Sequence, residues 1–537
     1  MYRVACPACG AEVRFHATTS VLAVCPYCQS TLLRDADSVR DIGKMATLLD
    51  DYSPLQIASC GIWKGRQFTV VGRIQLAYDA GMWNEWHLLF DDGSSGWLSE
   101  SVGQYVLTLP QTLPPAPPAF DSLRPGLCWE YKGTLYTFSD IRQARCVAGQ
   151  GELPFKVGAG YGAPVADARS GGRFLTLDYS ANPAQPALYL GDAVTLKQLN
   201  MQRLRDARMI QTATGKLKGS VQQLACPQCG AGLDYRAGTA THLHCPSCHS
   251  EVDIRGEQAE VIARHQQAGK TPAFTLQQGD VATMDGKEWT LIGTLRWEEV
   301  RNRNSSWNEY LLYNIDLGFR WLTETSDGWY LGTLMDVWVD SVTPQYVMRG
   351  KRSYSPCYPE YAARISYAAG AFPWRAAIGD VVQISEFENC KERLAREQSK
   401  HEITWSCSRE VSPQDMSRWF GRDITSRQVQ AGNGTIKSMA KLAIIVLLAI
   451  NIPVLFLSSE IFLTLCIIFF ALLILYAPLG EARQAMRPVF YLAYCMVIIL
   501  IATLLNLSIM GDDGSYRSGS GGGSYGGHGG GFSGGHK

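Results

Sequence analysis

Hydrophobic positions follow three regimes along the chain. Up to about residue 420 they come in short runs of aromatic and β-branched residues, such as Phe68–Ile74, Trp86–Phe90 and Trp289–Leu295. Turn signals such as Asp92-Gly93 and Asp285-Gly286 punctuate these runs. Regularly spaced short strands predict antiparallel sheets closed or packed into a barrel or sandwich. Helices are expected only as connectors, from about Asp192 to Lys216 and over 257–268. Ser412-Pro413-Gln414-Asp415 reads as a helix start, with serine as N-cap, proline at the first position and an acid behind it. The proline run Pro110–Pro118 is a linker or an edge loop inside the first β-rich segment.

The second regime is continuously apolar. From Leu442 to Leu479 the only charged residue is Glu460. As one helix this stretch would measure about 57 Å, against a hydrocarbon core of roughly 30 Å. The pattern therefore predicts an all-α three-span membrane domain over 439–510, with spans at about 440–458, 461–479 and 489–510. Lys437, Lys441, Arg483 and Arg487 flank one side. By the positive-inside rule they place the N-terminal part in the cytoplasm and the C-terminal tail opposite, in a multi-pass protein of the inner membrane if bacterial. The third regime, 511–537, is rich in Gly and Ser with His528 and His536, and is expected to be a disordered tail.

Cysteine spacing adds the first chemistry. Cys6-x-x-Cys9 and Cys25-x-x-Cys28 recur as Cys226-x-x-Cys229 and Cys245-x-x-Cys248, with the same 15-residue spacer. That is the spacing of a structural zinc site, so two zinc ribbons are expected at 1–35 and 221–256, each holding one structural ion. Gly10 and Gly230 follow the first knuckle, where positive φ suits glycine. Val13 and Phe15, like Leu233 and Tyr235, alternate as one strand with a small apolar face. A module this small needs the metal to fold. Disulfides are disfavoured because no secretory signal opens the chain; iron in a rubredoxin-like site is the other alternative. Cys60, Cys128, Cys146, Cys357, Cys390 and Cys407 are scattered and read as small buried residues.

The segment after each ribbon is duplicated as well. Trp83-Asn84-Glu85-Trp86 matches Trp307-Asn308-Glu309-Tyr310, and Trp97-Leu98-Ser99-Glu100 matches Trp321-Leu322-Thr323-Glu324. Gly151-Glu152-Leu153-Pro154-Phe155-Lys156 matches Gly370-Ala371-Phe372-Pro373-Trp374-Arg375. The soluble part thus reads as ribbon, β-rich module at 55–200, ribbon, β-rich module at 274–420.

These motifs, with Glu402-Ile403-Thr404-Trp405, resemble a mainly bacterial family known as domain of unknown function 4178. The first copy has Ala187-Leu188-Tyr189-Leu190 where the last motif would stand. The resemblance implies genes beside polyamine-synthesis-like enzymes and membrane-stress proteins, and hence a membrane-associated accessory role.

Glu85, Glu100, Glu309, Glu324 and Glu402 are the candidate ligand-binding residues, for acid/base work or for holding a cation such as a polyamine. The bland alternative has each carboxylate accepting backbone or indole N–H bonds. His87 has no counterpart in the second copy, where Leu311 stands. No residue is assigned a catalytic role: there is no phosphate-cradling loop, Rossmann fingerprint or H-E-x-x-H. Lys+Arg and Asp+Glu are 49 each, and neither ribbon has a basic stripe, so nucleic acid is not an expected partner. The expected role is a membrane-anchored cytoplasmic zinc-ribbon adaptor or ligand sensor, with protein partners held by the ribbons or β-modules. The rivals are an enzyme acting on a small cationic substrate in the second module and a nucleic-acid-binding membrane protein.

Overall fold

The computed structural model describes residues 2–510 except 17–19, 36–37, 46–47, 49–51, 158–159, 215–217, 256–258, 265–271, 303–304, 425–440, 454–455, 457–460 and 477–487. The tail expected to be disordered lies outside the described residues.

Two closed β-barrels dominate. The first uses β1 (Arg66–Tyr78), β2 (Gly81–Phe90), β3 (Ser95–Ser101), β4 (Gln104–Gln111), β5 (Thr134–Leu153), β6 (Tyr161–Ser170), β7 (Arg173–Asp178) and β8 (Ala187–Val194). They pair antiparallel in the circuit β1-β2-β3-β4-β8-β7-β6-β5, and β5 closes onto β1 through Arg145↔Ala77 to Gly151↔Gly72. The second barrel uses β9 (Lys287–Glu299), β10 (Ser306–Asn314), β11 (Gly318–Glu324), β12 (Trp329–Leu334), β13 (Tyr361–Phe372), β14 (Val381–Asn389), β15 (Glu392–Gln398) and β16 (Ile403–Val411). Its circuit, β9-β10-β11-β12-β16-β15-β14-β13, repeats the first strand for strand. Closure removes the open edges that so many short strands would otherwise present.

Among the described residues each barrel packs three buried apolar clusters. In the second, Trp297, Trp307, Trp321, Ile365 and Ile384 pack together in one cluster. Met284, Trp289, Leu312 and Leu322 pack against Met416 and Trp419 in another. Those last two lie on α2 (Pro413–Phe420), whose Ser412 N-cap accepts the Asp415 amide at 3.1 Å and which ends at Gly421 with φ 62°. The only helix between the barrels among the described residues is α1 (Ala207–Thr214), because Asp192–Val194 finishes strand β8. The helix expected over 257–268 is instead, where described, the strand Glu260–Arg264, paired with Ser250–Asp253. The proline run is an edge loop of the first barrel: Tyr131 donates to Thr112 O and Tyr179 to Pro118 O, both at 2.8 Å.

The ribbons are continuous with the barrel walls. Leu22–Val24 pairs with the end of β5 (Leu22↔Leu153, Ala23↔Glu152), and His242–His244 pairs with the end of β13 (His242↔Phe372 to His244↔Gly370). The motif glycines permit this crossing. Gly151 has φ 72° and Gly370 φ 98°, and a Cβ on either would stand 2.4 Å from a carbonyl, Val71 O or Ile292 O.

The barrels also touch each other. Arg142 bonds Asp140 at 2.6 Å and reaches Glu402, while Ile141 donates to His401 O at 2.9 Å. Trp338 donates to Gly171 O at 3.0 Å. A cavity of about 60 Å³ lies between them, lined by Asp140, Asp167, Arg169, Trp338, Thr404 and Trp405 among others.

The expected all-α three-span membrane domain is not what forms. Among the described residues no helix is long and apolar enough to cross a membrane, so the transmembrane assignment and the multi-pass localisation derived from it are withdrawn. The helical stretch 441–453 and the helix Ile461–Tyr476 measure about 20 and 24 Å, short of a roughly 30 Å core. The third helix, Pro488–Met510, buries Asn506, which donates to Asn451 at 2.8 Å; Asn451 in turn donates to Thr503 at 3.2 Å. These helices pack around Leu447, Ala471, Leu475 and Cys495. The junction of the first two expected spans, with Glu460, lies outside the described residues.

Candidate metal centres and buried carboxylates

Each knuckle is a tight backbone loop. Cys6 N donates to Ala11 O and Gly10 N to Cys6 O, both at 2.8 Å; Cys226, Ala231 and Gly230 repeat the pattern. Gly10 and Gly230 have φ 78° and 75°. The second knuckles put Gln29 and His249 in the same left-handed region, at 60° and 56°, without glycine.

The loops bring Cys6, Cys9, Cys25 and Cys28 together, and likewise Cys226, Cys229, Cys245 and Cys248, with all four sulfurs of each set within 4.8 Å of one another. Cys6–Cys28 is 3.6 Å, and Cys9–Cys25, Cys226–Cys248 and Cys229–Cys245 are each 3.7 Å. A disulfide would need about 2.05 Å. A tetrahedral ion with bonds of about 2.3 Å would separate its sulfurs by about 3.8 Å. The donor set therefore fits a metal ion. Hydrogen bonds from the Ser30 side chain and backbone pull the Cys28 thiol down to about 6. Burial opposes the same shift at Cys248, yet bonds from Ser250 bring it to about 6 as well. At Cys9 a backbone bond from Ala11 favours ionisation, but the neighbouring thiols push it up to about 12. Four thiolates cannot share so small a volume without a cation. Cys128 and Cys390 are exposed rather than buried.

The duplicated carboxylates occupy two kinds of place. Glu100 accepts Trp86 Nε1 at 2.9 Å, Tyr105 OH at 3.1 Å and Asn84 Nδ2 at 3.2 Å. Glu324 accepts Tyr310 OH at 2.7 Å, Asn308 Nδ2 at 3.0 Å and the Thr275 hydroxyl. An arginine from the first strand of each barrel, Arg73 or Arg296, holds the matching asparagine at 2.9 Å. Glu85 and Glu309 lie on the opposite strand face. Glu85 accepts Trp83 Nε1 at 2.8 Å and Ser99 Oγ at 2.7 Å; Glu309 accepts Trp297 Nε1 at 2.9 Å and Trp307 Nε1 at 3.1 Å.

That second face is the lumen. Glu85 on β2 interacts with Asp167 on β6 and Asp178 on β7, strands that do not neighbour β2 in the circuit. Burial pushes Glu85 up to about 7, against the bonds from Ser99 and Trp83. In the second barrel Glu309 is joined by two residues that sequence reasoning missed. Glu386 is pushed up to about 8 by burial, against the Arg393 guanidinium 3.8 Å away. Glu397 is raised as well, by burial and by the neighbouring Glu309, Glu402 and Glu386 carboxylates. The Arg393 guanidinium lies 4.5 Å from the Tyr330 ring centre. The alternation Gln383-Ile384-Ser385-Glu386 looks like a solvated strand, and only closure of the barrel turns Glu386 inward.

Glu402 stands apart from the other four carboxylates, at the inter-barrel contact with Arg142. The structure thus brings Glu309, Glu386 and Glu397 into one lumen and leaves Glu324 outside it and Glu402 between the barrels. His528 and His536 lie outside the described residues.

No curated protein matches the chain. A family model, Domain of unknown function (DUF4178), matches residues 56–195 and 277–413, so each match covers one barrel. Together the two matches span just over half of the chain, which therefore belongs to the DUF4178 family and carries two copies of its domain.

Proposed function

We propose that the protein is a zinc-dependent adaptor or ligand sensor whose two metal-clamped ribbons hold two barrels in a fixed frame. The observation that carries this reading is the pairing of each ribbon strand with the long barrel strand beside it. A zinc ion in each tetrad would supply the folding energy that a ribbon this small lacks. The ribbons then serve as rigid extensions of the barrels, suited to holding a protein partner. Elemental analysis of the purified chain tests the first step, with two zinc ions per chain expected. Affinity purification from cells tests the second, with a reproducible partner expected for the wild type and lost when Cys6 and Cys226 are replaced by Ser. A chain without metal, or a partner set indifferent to the substitutions, rejects the reading.

A second reading makes the ligand a small organic cation. It rests on the lumen of the second barrel, where Glu309, Glu386 and Glu397 outnumber Arg393 and stand beside Trp297, Trp307 and Tyr361. Titration calorimetry with spermidine tests it. Binding measured above pH 8, where Glu386 is ionised, and weakened about tenfold or more by E386Q supports it, and no heat of binding dismisses it.

A further inference from the structure

Glu152 touches both a ribbon and a lumen. Its carboxylate is buried and accepts the His16 amide at 2.7 Å, the Ser20 hydroxyl at 2.8 Å and His16 Nδ1, all from the first ribbon. Its carbonyl faces the other way and holds His87 Nδ1 at 3.1 Å. His87 is two residues from Glu85 on the lumenal face of β2 and lies 5.0 Å from the Trp97 ring. The Glu152 backbone pairs with Ala23, and Val24 and Cys25 come next in the chain. On the far side β1 approaches so closely that a Cβ on Gly72 would stand 1.9 Å from Glu152 O.

From this placement we infer that Glu152 couples metal occupancy of the first tetrad to the lumen of the first barrel, a coupling that rests on the tetrads being metal-filled. The strand Leu22–Val24 has three residues, too few to hold its place unaided. It is fixed by the knuckle that follows it and by Ser30–Asp35 on its other side. Losing the ion frees the strand, strips Glu152 of its ribbon donors and lets the end of β5 and His87 shift together. The second unit is wired differently. There the ribbon supplies the buried carboxylate, Glu251, to Arg375 of the barrel at 2.6 Å, and Leu311 replaces His87. Metal loss from the second tetrad therefore loosens the end of β13, and it reaches the lumen only through the apolar contact of His244 with Phe372, with no hydrogen bond to a lumenal side chain at Leu311.

Hydrogen–deuterium exchange on the full chain tests this, with metal content measured on the same samples. C25S, retaining one ion, should speed exchange on the order of tenfold in 147–153 and also in Gly81–Phe90. C245S should speed exchange in 361–372 and change Ser306–Asn314 far less than C25S changes Gly81–Phe90. E152Q, with both ions present, should speed exchange in 147–153 and Gly81–Phe90 together, and a rise confined to 147–153 would also overturn the coupling. If a cysteine variant does not fold, brief chelator treatment of the wild type, which empties both tetrads, should speed exchange in 147–153, Gly81–Phe90 and 361–372 together, and an unaltered Gly81–Phe90 overturns the coupling. One ion lost with exchange in 147–153 and Gly81–Phe90 unaltered overturns the coupling. A wild-type chain that never held metal rejects the zinc reading instead.

Discussion

Trp86 donates its indole N–H to Glu100 at 2.9 Å, and in the second barrel Tyr310 reaches the matching Glu324 with its hydroxyl at 2.7 Å. Two chemically different rings deliver a donor to the same carboxylate, so the bond is what the duplication preserved. Tyr310→Phe removes only the hydroxyl and leaves Glu324 short of a donor in a buried site. A loss of about 1–3 kcal/mol in urea unfolding is expected. No change would show that Asn308 and Thr275 suffice.

The crossing glycines should be far less replaceable than turn glycines of similar φ. Gly65 has φ 78° with nothing within 4 Å of an added methyl group, so Gly65→Ala should cost only about 1 kcal/mol. Gly151→Ala must displace Val71 O as well, from 2.4 Å. Its thermal midpoint should fall well below that of Gly65→Ala, and equal midpoints would show that the ribbon junction yields.

Arg142 is mostly buried between Asp140 and Glu402, with 15% of its side chain exposed. Glu402→Ala leaves the guanidinium with one carboxylate at the inter-barrel contact. A loss of about 3 kcal/mol is expected, seen as the earlier release of one barrel from the other in calorimetry. A single unshifted transition would show that the backbone bonds of Ile141 to His401, Trp338 to Gly171 and Arg375 to Ala80 hold the barrels without the ion pair.

Glu386 ties stability to pH. Its folded-state value is raised to about 8 from the usual 4.5, so the folded chain binds the proton more tightly than the unfolded chain does. Its stabilising contribution is full below about 4.5 and is lost as pH rises toward 8, with a limiting slope of about 1.4 kcal/mol per pH unit. E386Q keeps a neutral polar group there and should flatten the decline of the unfolding midpoint between pH 5 and 8, by roughly one proton's worth. An identical decline in the variant would place the titration elsewhere.

The sequence was most informative where chemistry is local. Cysteine spacing places the sulfurs, glycine marks the first knuckles, and Ser412 and Pro413 announce their helix. Closure of the barrels was not readable, because it depends on β5 meeting β1 from more than 60 positions away, and only that meeting turns Glu386 and Glu397 inward in the matching second barrel. The apolar stretch misled for the opposite reason. Composition over Leu442–Leu479 says nothing of helix length, and no helix among the described residues is long and apolar enough to cross a membrane. Glu260–Arg264 misled because its polar pattern suits a connector helix, while its actual form is set by the neighbouring strand Ser250–Asp253.

The hydrogen-bonded seam between ribbon and barrel also bears on how this protein should be cut. The two family matches begin at 56 and 277, each beyond the cysteine set that precedes its barrel. A fragment excised at those limits would leave Leu153 or Phe372 with a bare backbone edge that recruits whatever strand comes by. Expression trials that start at the first or second knuckle should give monomers, and trials that start at the family limits should give aggregates.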